Sequence, residues 1–176
     1  MTDIALGWRS GNRYTLLENG EAYFPAVRGA IDGATREILV ETFILFDDVV
    51  GRALQQALIA ASQRGVSVDL LADGYGSDQL PEAFLAALTG AGVRVHLFDP
   101  RPRLFGVRTN LFRRMHRKIV AVDGACAFIG GINFSADHLR DYGPQAKQDY
   151  AVRVEGPLAA DMADYARAAL DGQSGV

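Results

Sequence analysis

The chain has 176 residues, of which 49% are apolar, and this is enough for one domain with a sizeable hydrophobic core. Its formal net charge of −3 disfavours a protein that binds polyanions over its whole surface, and its single cysteine excludes an internal disulfide. No apolar run approaches the roughly 18 residues of a membrane-spanning helix, and the first residues do not resemble a signal peptide. Any association with a membrane is therefore expected to be peripheral.

The first half of the chain predicts strands and helices in alternation. In chain order these are a strand at 14–18, a helix at 24–36, a strand at 37–45, a helix at 49–64, a strand at 66–72, a helix at 81–88 and a strand at 93–98. Pro25 is expected in the first turn of its helix, where a missing N–H is harmless. This β-α-β-α-β order is typical of a parallel sheet with helices on both faces.

The second half predicts a hairpin, one more strand and a closing helix. Strands at 118–122 and 125–129 are joined across Asp123-Gly124, a dipeptide that favours a two-residue turn. A strand at 150–154 and a helix at 157–170 follow, and the last residues are expected to be a linker or a cut end. The predicted fold class is α/β, with a mixed, mainly parallel sheet flanked by helices on both faces, as a single domain over 1–176.

One short motif points to chemistry. His116 and Lys118 are two positions apart in an apolar, β-prone run, and side chains at i and i+2 of a strand point to the same face. Arg117 is expected on the opposite face. An imidazole is a competent nucleophile near neutral pH, and a fixed ammonium beside it would hold the negative charge of a phosphodiester.

A second motif, Gly130-Gly-Ile-Asn133, follows the next predicted strand. Its glycines are expected to let backbone approach a phosphate closely, while the Asn133 amide donates to the phosphate oxygens. Gly131 and Ser135 are further candidates for phosphate binding. No group of His, Cys, Asp or Glu has the spacing of a metal site, so the sequence predicts neither a metal nor another cofactor.

The two motifs together resemble the HKD signature of the phospholipase D superfamily, His-x-Lys-x4-Asp-x6-Gly-Gly-x-Asn, with Asp123 at the aspartate position. The chain as a whole is similar to the amino-terminal half of bacterial cardiolipin synthases, and most similar to the B-type enzymes. Segments outside the motifs that carry this similarity are 8–12, 16–20, 41–44, 73–76, 99–103, 147–150 and 155–157. Those enzymes have two HKD motifs in one longer chain, whereas this sequence has one, at 113–140.

The resemblance implies a reaction and a role for each residue. His116 would form a covalent phosphohistidine, while Lys118 and Asn133 would neutralise the phosphate oxygens. Asp123 belongs to the catalytic motif, although its place at the turn of the hairpin favours a structural role. In-line displacement also needs an acid on the far side of phosphorus, so a second motif must come from a second HKD domain or from a homodimer mate.

Three residues outside the signature are further candidates. Asp149 precedes the strand at 150–154 and could accept a hydrogen bond from an imidazole, which the resemblance assigns to the opposite motif. Glu41 interrupts an apolar strand; it lies near the pocket, as the resemblance implies, or reaches water at the strand end. His138 follows the second motif and is expected at the surface, with the mouth of the pocket as the alternative.

The charge distribution is uneven. Seven of the 18 residues from Arg101 to Lys118 are Arg or Lys, and none is acidic. This basic stretch is either a surface for anionic headgroups or nucleic acid, or a solvated loop.

The sequence therefore predicts an enzyme of phosphatidyl transfer, which makes cardiolipin from phosphatidylglycerol and releases glycerol. It would act peripherally at the cytoplasmic face of the bacterial inner membrane, with anionic phospholipid, the membrane surface and a second motif as its partners. Nucleic acid is not expected, because the net charge is negative. The alternatives are a homodimeric single-motif phosphodiesterase or nuclease that uses water, and a catalytically silent half-enzyme that binds lipid.

Overall fold

The computed structural model describes residues 8–99 and 115–171. Most of the predicted basic stretch, from Arg101 to Arg114, lies outside the described residues. The elements are β1 (Arg13–Glu18), α1 (Asn19–Asp32), β2 (Glu37–Thr42), α2 (Val49–Gln63), β3 (Ser67–Asp73), α3 (Glu82–Gly90), β4 (Arg94–Phe98), β5 (Ile119–Val122), β6 (Cys126–Gly130), β7 (Tyr150–Glu155) and α4 (Pro157–Asp171). Two short 3-10 helices, Ala136–His138 and Arg140–Tyr142, lie between β6 and β7.

The strands form one mixed sheet in the order β1-β7-β6-β5-β2-β3-β4. The α/β class with a mixed sheet is confirmed. The sheet is not mainly parallel, however: among the described strands only the β2–β3 and β3–β4 pairs are parallel, and the other four pairs are antiparallel. The parallel pairs are those joined by the crossover helices α2 and α3, whereas the β5–β6 hairpin and the added strands β1 and β7 pair antiparallel.

Helices cover both faces of the sheet, as predicted. The helices α1, α2 and α3 bury their apolar sides in the larger core on one face. On the other face, α4 places Ala159, Ala163 and Ala166 against Leu39 and Ala121. These three alanines recur at the i, i+4, i+7 spacing of one helix side, and their small side chains let α4 lie close to the sheet.

The predicted bounds of the first helix are wrong. The helix α1 begins at Asn19 and ends at Asp32, so Pro25 lies in its interior rather than in its first turn. The chain beyond α1 does not stay helical, because the backbone N–H groups of Thr35 and Arg36 donate to the carboxylate of Asp123 at 2.9 and 2.8 Å. Gly33 at the C-cap and this contact, distant in sequence, together end the helix earlier than its apolar pattern indicates.

The other predicted elements are confirmed, with ends that differ by at most three residues. The largest of these differences is in β2, which ends at Thr42 instead of continuing to Leu45. Residues 43–45 leave the sheet, and Leu45 forms an isolated parallel bridge with Phe134. This departure brings residues 43–45 to the end of the sheet where the candidate site lies.

Candidate active site

The predicted nucleophile and its cation lie side by side at the amino end of β5. His116 is exposed, whereas Lys118 is only 5% exposed. The Lys118 Nζ atom lies 3.4 Å from the Nε2 atom of His116 and donates a hydrogen bond to the His116 carbonyl oxygen at 3.2 Å. The ring of Phe43 lies against both groups, with its centroid 4.7 Å from the imidazole centroid and 5.3 Å from Nζ. No pattern in the sequence indicates this contact of Phe43 with the motif.

Arg117 points to the opposite face of the sheet, toward α4. Its Nε donates to Glu41 at 2.7 Å and its Nη1 to the Tyr165 hydroxyl oxygen at 2.9 Å. Glu41 is 1% exposed, so it does not reach water at the strand end. Burial raises the pKa of the Glu41 carboxyl, and the nearby guanidinium only partly offsets this. The structure therefore places Glu41 behind the site, paired with the residue between His116 and Lys118.

Residues 43–45 are fixed from two sides. The Ser77 hydroxyl donates to the Phe43 carbonyl oxygen at 3.2 Å and accepts from the Leu45 N–H at 3.0 Å. From the other side, the Oδ1 atom of Asn133 accepts from the Ile44 N–H at 3.1 Å. Asn133 is thus brought to the same end of the sheet as Phe43, and its side-chain oxygen is already used by the fold.

Asp73, at the carboxyl end of β3, holds the segment that precedes the motif. This carboxylate is 1% exposed and accepts hydrogen bonds from the N–H groups of Met115 at 2.7 Å, Tyr75 at 2.9 Å and Gly76 at 3.0 Å. Because Met115 directly precedes His116, Asp73 fixes the start of the motif. Asp73 lies in the segment of family similarity at 73–76, but its sequence context does not indicate this role.

The loop after β6 holds Asn133 through a histidine. The Asn133 backbone N–H donates to the Nε2 atom of His138 at 3.2 Å, and His138 is 1% exposed. The expectation of a surface His138 is therefore wrong: the ring is buried and holds the loop from inside. Burial also lowers the pKa of His138, and an Nε2 atom that accepts a hydrogen bond belongs to a neutral ring.

Gly131 and Asp149 pack against each other beside the site. A Cβ atom on Gly131 would lie 2.2 Å from Oδ1 of Asp149, so this position must be glycine for the carboxylate to sit where it does. The negative charge of Asp149 acts on Lys118, where it favours the charged ammonium. Ser135 is 1% exposed, and its hydroxyl donates to Asp137 at 2.6 Å.

Asp123 lies at the other end of β5. Its carboxylate accepts from the N–H groups of Thr35, Arg36 and Glu37 at 2.8–2.9 Å and from the Thr35 hydroxyl at 3.0 Å. Partial burial opposes ionisation, but these hydrogen bonds lower the pKa of Asp123 below its ordinary value. At about 3.3 Å per residue, five positions of a strand separate Asp123 from Lys118 by on the order of 15 Å. The structure places this carboxylate away from the imidazole and the ammonium.

Burial gives the site its electrostatic character. It lowers the pKa of Lys118, an effect that Asp149 only partly offsets. An ammonium with little water around it interacts strongly with any anion that reaches it. In residues 8–99 and 115–171, no group of three or more His, Cys, Asp or Glu side chains is placed to hold a metal ion.

This fold and this site define a class of protein. A mixed sheet that presents a His-x-Lys pair and a Gly-Gly-x-Asn turn at one end is the arrangement that the HKD resemblance implies. The family model described as "Cardiolipin synthase, PLD-like domain" matches residues 27–168. The chain therefore belongs to the cardiolipin synthase, PLD-like domain family.

Individual relatives agree with this assignment. The chain is 60% identical over 168 residues to cardiolipin synthase B of Salmonella typhi, in a match that covers 96% of this chain and 41% of that protein. It is 58% identical over 167 residues to cardiolipin synthase B of Escherichia coli K12, with 95% and 40% covered. The predicted resemblance to B-type enzymes is confirmed, and the chain spans less than half the length of these curated relatives.

Solved structures share the fold. NucT from Helicobacter pylori matches with a TM-score of 0.70 at 13% identity, over 92% of this chain and 97% of that chain. The phospholipase D family member Nuc from Salmonella typhimurium matches with a TM-score of 0.63 at 21% identity, over 89% and 93%. At such identities these matches concern the fold alone.

Proposed function

We propose that this chain carries one half of an active site for phosphatidyl transfer, with His116 as the nucleophile. The observation that carries the proposal is the exposed imidazole of His116, 3.4 Å from the buried ammonium of Lys118. A nucleophile that substrate can reach lies beside a positive charge that water screens poorly. This pairing suits a phosphodiester better than a neutral ester, because the phosphodiester brings its own negative charge.

The reaction has two steps. A ring nitrogen of His116 attacks the phosphorus of phosphatidylglycerol, the bond from phosphorus to the headgroup glycerol breaks, and the glycerol oxygen takes a proton from an acid on the far side. A hydroxyl of a second phosphatidylglycerol, deprotonated by that same group, then attacks the phosphohistidine. The phosphorus–nitrogen bond breaks, which frees His116 and yields cardiolipin.

Two residues are proposed to hold the phosphate, and Asp149 acts on one of them. Lys118 would neutralise the non-bridging oxygens. Asn133 is 7% exposed and its Oδ1 accepts from Ile44, which leaves its amide nitrogen as the group that could donate to the phosphate. Asp149 would keep Lys118 charged. In this proposal Asp123 belongs to the motif as an anchor of the fold, and Gly131 and Ser135 support the site through Asp149 and Asp137.

The acid on the far side must come from a second HKD motif, in a second domain or in another copy of this chain. We propose the domain, because the curated relatives at 58–60% identity are more than twice the length that this chain matches. The substrate would be anionic phospholipid at the cytoplasmic face of the inner membrane. Among the described helices none is long and apolar enough to cross a bilayer.

A second candidate is a homodimeric phosphodiesterase or nuclease that transfers the phosphoryl group to water. The observation in its favour is that the fold matches almost whole chains of similar length, 97% of NucT and 93% of Nuc. A third candidate is a half that binds anionic lipid without turnover, since a single motif lacks the acid for the leaving group.

Phosphatidylglycerol vesicles distinguish these candidates. The chain is incubated with them alone and with the proposed second HKD domain, beside His116→Ala and the control His96→Ala. The control removes the imidazole on β4 that is hydrogen-bonded to Asp69 on β3. Cardiolipin formed by the chain and by the control, but not by His116→Ala, supports phosphatidyl transfer. Phosphatidic acid as the main product favours the water-using enzyme, and vesicle binding without any product in either assembly favours the silent half.

A further inference from the structure

An apolar groove lies between α1 and α2, outside the site described above. Its volume is about 260 Å³, and its walls include Phe24, Pro25, Val49, Ala53, Phe134 and Leu139. Several of these side chains are accessible from outside: Val49 is 68% exposed, and Pro25 and Ala53 are also exposed. The groove is therefore an open surface feature that a ligand can enter, and not a closed defect of the core.

The lining offers almost no hydrogen-bonding groups. The polar side chains among the described lining residues are Glu21 and Arg28, and both have partners. Glu21 accepts from the Arg140 N–H at 2.6 Å, and the Nε atom of Arg28 bonds Asp32 at 2.9 Å. A headgroup or an extended peptide would leave its polar groups unsatisfied here, whereas a hydrocarbon chain has none to satisfy.

The groove and the candidate phosphate site share the loop after β6. Asn133 and His138 are hydrogen-bonded to each other within the loop after β6, and their chain neighbours Phe134 and Leu139 line the groove. Asp48 ties this loop to the start of α2, because its carboxylate accepts from Ala136 N–H at 2.7 Å and from Val50 N–H at 2.9 Å. One loop is thus shared by the two features.

The groove runs along α1 from Gly20 to Ile31. At 1.5 Å per residue this is roughly 16 Å. The two helices pack on each other in one core, and helices in contact lie about 8–10 Å apart, so the space between them is too narrow for a third helix of about 10 Å diameter. A long, narrow, apolar groove suits a single hydrocarbon chain.

We propose that this groove binds one acyl chain of the phospholipid whose phosphate lies at Lys118. The proposal rests on the proposed function, because it assigns the polar and apolar parts of one substrate to two features that share a loop. It predicts that affinity depends on chain length through the groove, and on the headgroup through Lys118.

The test compares dihexanoyl and dioctanoyl phosphatidylglycerol as monomers in calorimetric titrations. Each buried methylene contributes about fourfold in affinity, so two more methylenes in one seated chain should give roughly fifteenfold tighter binding. Ala53→Trp fills the groove and should reduce this ratio to near one. Gln56→Trp puts the same side chain on an exposed position of α2 outside the lining and should keep the full ratio.

A folding defect and a failed proposal give different results. The affinity ratio of the two lipids is measured within each variant, so it does not depend on the amount of folded protein. Circular dichroism checks that Ala53→Trp is folded. Should it unfold, Val49→Trp replaces it, because Val49 is 68% exposed. An unchanged ratio in the folded groove variant overturns the acyl-chain site. Dissociation of a dimer by Ala53→Trp, but not by Gln56→Trp, also overturns it, because a second copy would then occupy the groove.

Lys118→Ala separates this inference from the proposed function. If both proposals hold, this variant weakens both lipids equally and leaves the chain-length ratio unchanged. If Lys118→Ala changes neither affinity while the ratio persists, the phosphate site is wrong and the groove is right. If the chain-length ratio is near one in the native chain while Lys118→Ala weakens binding, the groove is wrong and the phosphate site is right.

Discussion

The two ends of β5 use charged residues in opposite ways. At the carboxyl end, Asp123 accepts four hydrogen bonds, from the N–H groups of Thr35, Arg36 and Glu37 and from the Thr35 hydroxyl. At the amino end, Lys118 is buried, and within the described residues its ammonium is hydrogen-bonded only to His116. The hydrogen bonds of the fold compensate the charge of Asp123, whereas they compensate the charge of Lys118 only in part.

This difference separates an anchor from a site. A buried charge that lacks partners destabilises the native state. Such a charge is expected where a bound ligand supplies the missing partner. At Lys118 that ligand is proposed to be a bound phosphodiester, which would supply the missing negative charge. A saturated carboxylate such as Asp123 has little capacity left for a ligand, and its contribution goes to the stability of the native state.

Lys118→Met should have the largest effect. Its result can also contradict the distinction between Asp123 as an anchor and Lys118 as part of a site. We expect turnover of phosphatidylglycerol to fall by about 10²–10³, the usual loss for a transition-state donor, while the free energy of unfolding rises by about 1 kcal/mol. Activity and stability thus move in opposite directions. Turnover in the complete two-motif assembly and urea denaturation of the chain measure the two effects.

The gain in stability should depend on pH. Burial lowers the pKa of Lys118 in the folded state, so the penalty for the charged form is fully present below that pKa. The penalty disappears as pH rises toward the ordinary lysine value of 10.5. The advantage of Lys118→Met should therefore shrink in alkali. A methionine variant less stable than the native chain at pH 7 would show that Lys118 is compensated in the fold.

Asp123→Ala should have the largest effect on stability. We expect a loss of about 2–4 kcal/mol, because three backbone N–H groups lose their acceptor and alanine is strained in the left-handed backbone conformation. That conformation has φ 55° at this position. Thermal or urea unfolding measures the loss, and Asp123→Asn, which tolerates this φ and keeps one acceptor, is the milder control.

The effect of Asp123 should also depend on pH, with the opposite sign. Its folded-state pKa lies below the ordinary value of 3.8, so its contribution is present above that value and disappears as pH falls through the folded-state pKa. The difference between Asp123→Asn and the native chain should shrink in acid. A turnover defect in Asp123→Asn at full stability would give this residue a chemical role and would contradict the assignment as an anchor.

Glu41→Gln should have the smallest effect. The ion pair with Arg117 is buried on one side only, because the Arg117 side chain is 38% exposed. We expect about 1 kcal/mol of destabilisation and less than a tenfold loss of turnover. Burial raises the pKa of Glu41, so this carboxyl contributes most to the free energy of unfolding in acid and less as pH rises through that pKa. The difference in stability between the native chain and Glu41→Gln should therefore narrow as pH rises.

Tyr165→Phe is the matched control for Glu41→Gln, because it removes only the hydroxyl contact of Arg117 at 2.9 Å. We expect the control to be close to the native chain in both measurements. A turnover loss in Glu41→Gln as large as that in Lys118→Met would place Glu41 in the chemistry and not behind it.

Residues near each other in sequence were predicted well. The strands and helices follow from apolar periodicity, and the side-by-side arrangement of His116 and Lys118 follows from their two-residue spacing just before β5. The hairpin follows from Asp123-Gly124. In each case the cause is local, because backbone sterics and the period of the side chains decide it.

Contacts between distant segments were not predicted. Phe43 reaches His116 because β2 ends early, and Asp73 reaches Met115 across 42 positions of sequence. His138 is buried although its sequence neighbours are largely polar. The first helix ends early because Asp123, 87 positions away, takes the N–H of Arg36. Neither the periodicity nor the composition of the sequence predicts these contacts.

The sequence by itself determined the family, the α/β class and the pair of residues that would meet a phosphate, because a fixed spacing on a strand fixes a shared face. Only the tertiary structure decided how the sheet is paired and which backbone groups the Asp123 carboxylate holds. It also placed an apolar groove beside the loop that holds Asn133. These features depend on which segments pack together, and packing is a property of the whole chain, not of any window within it.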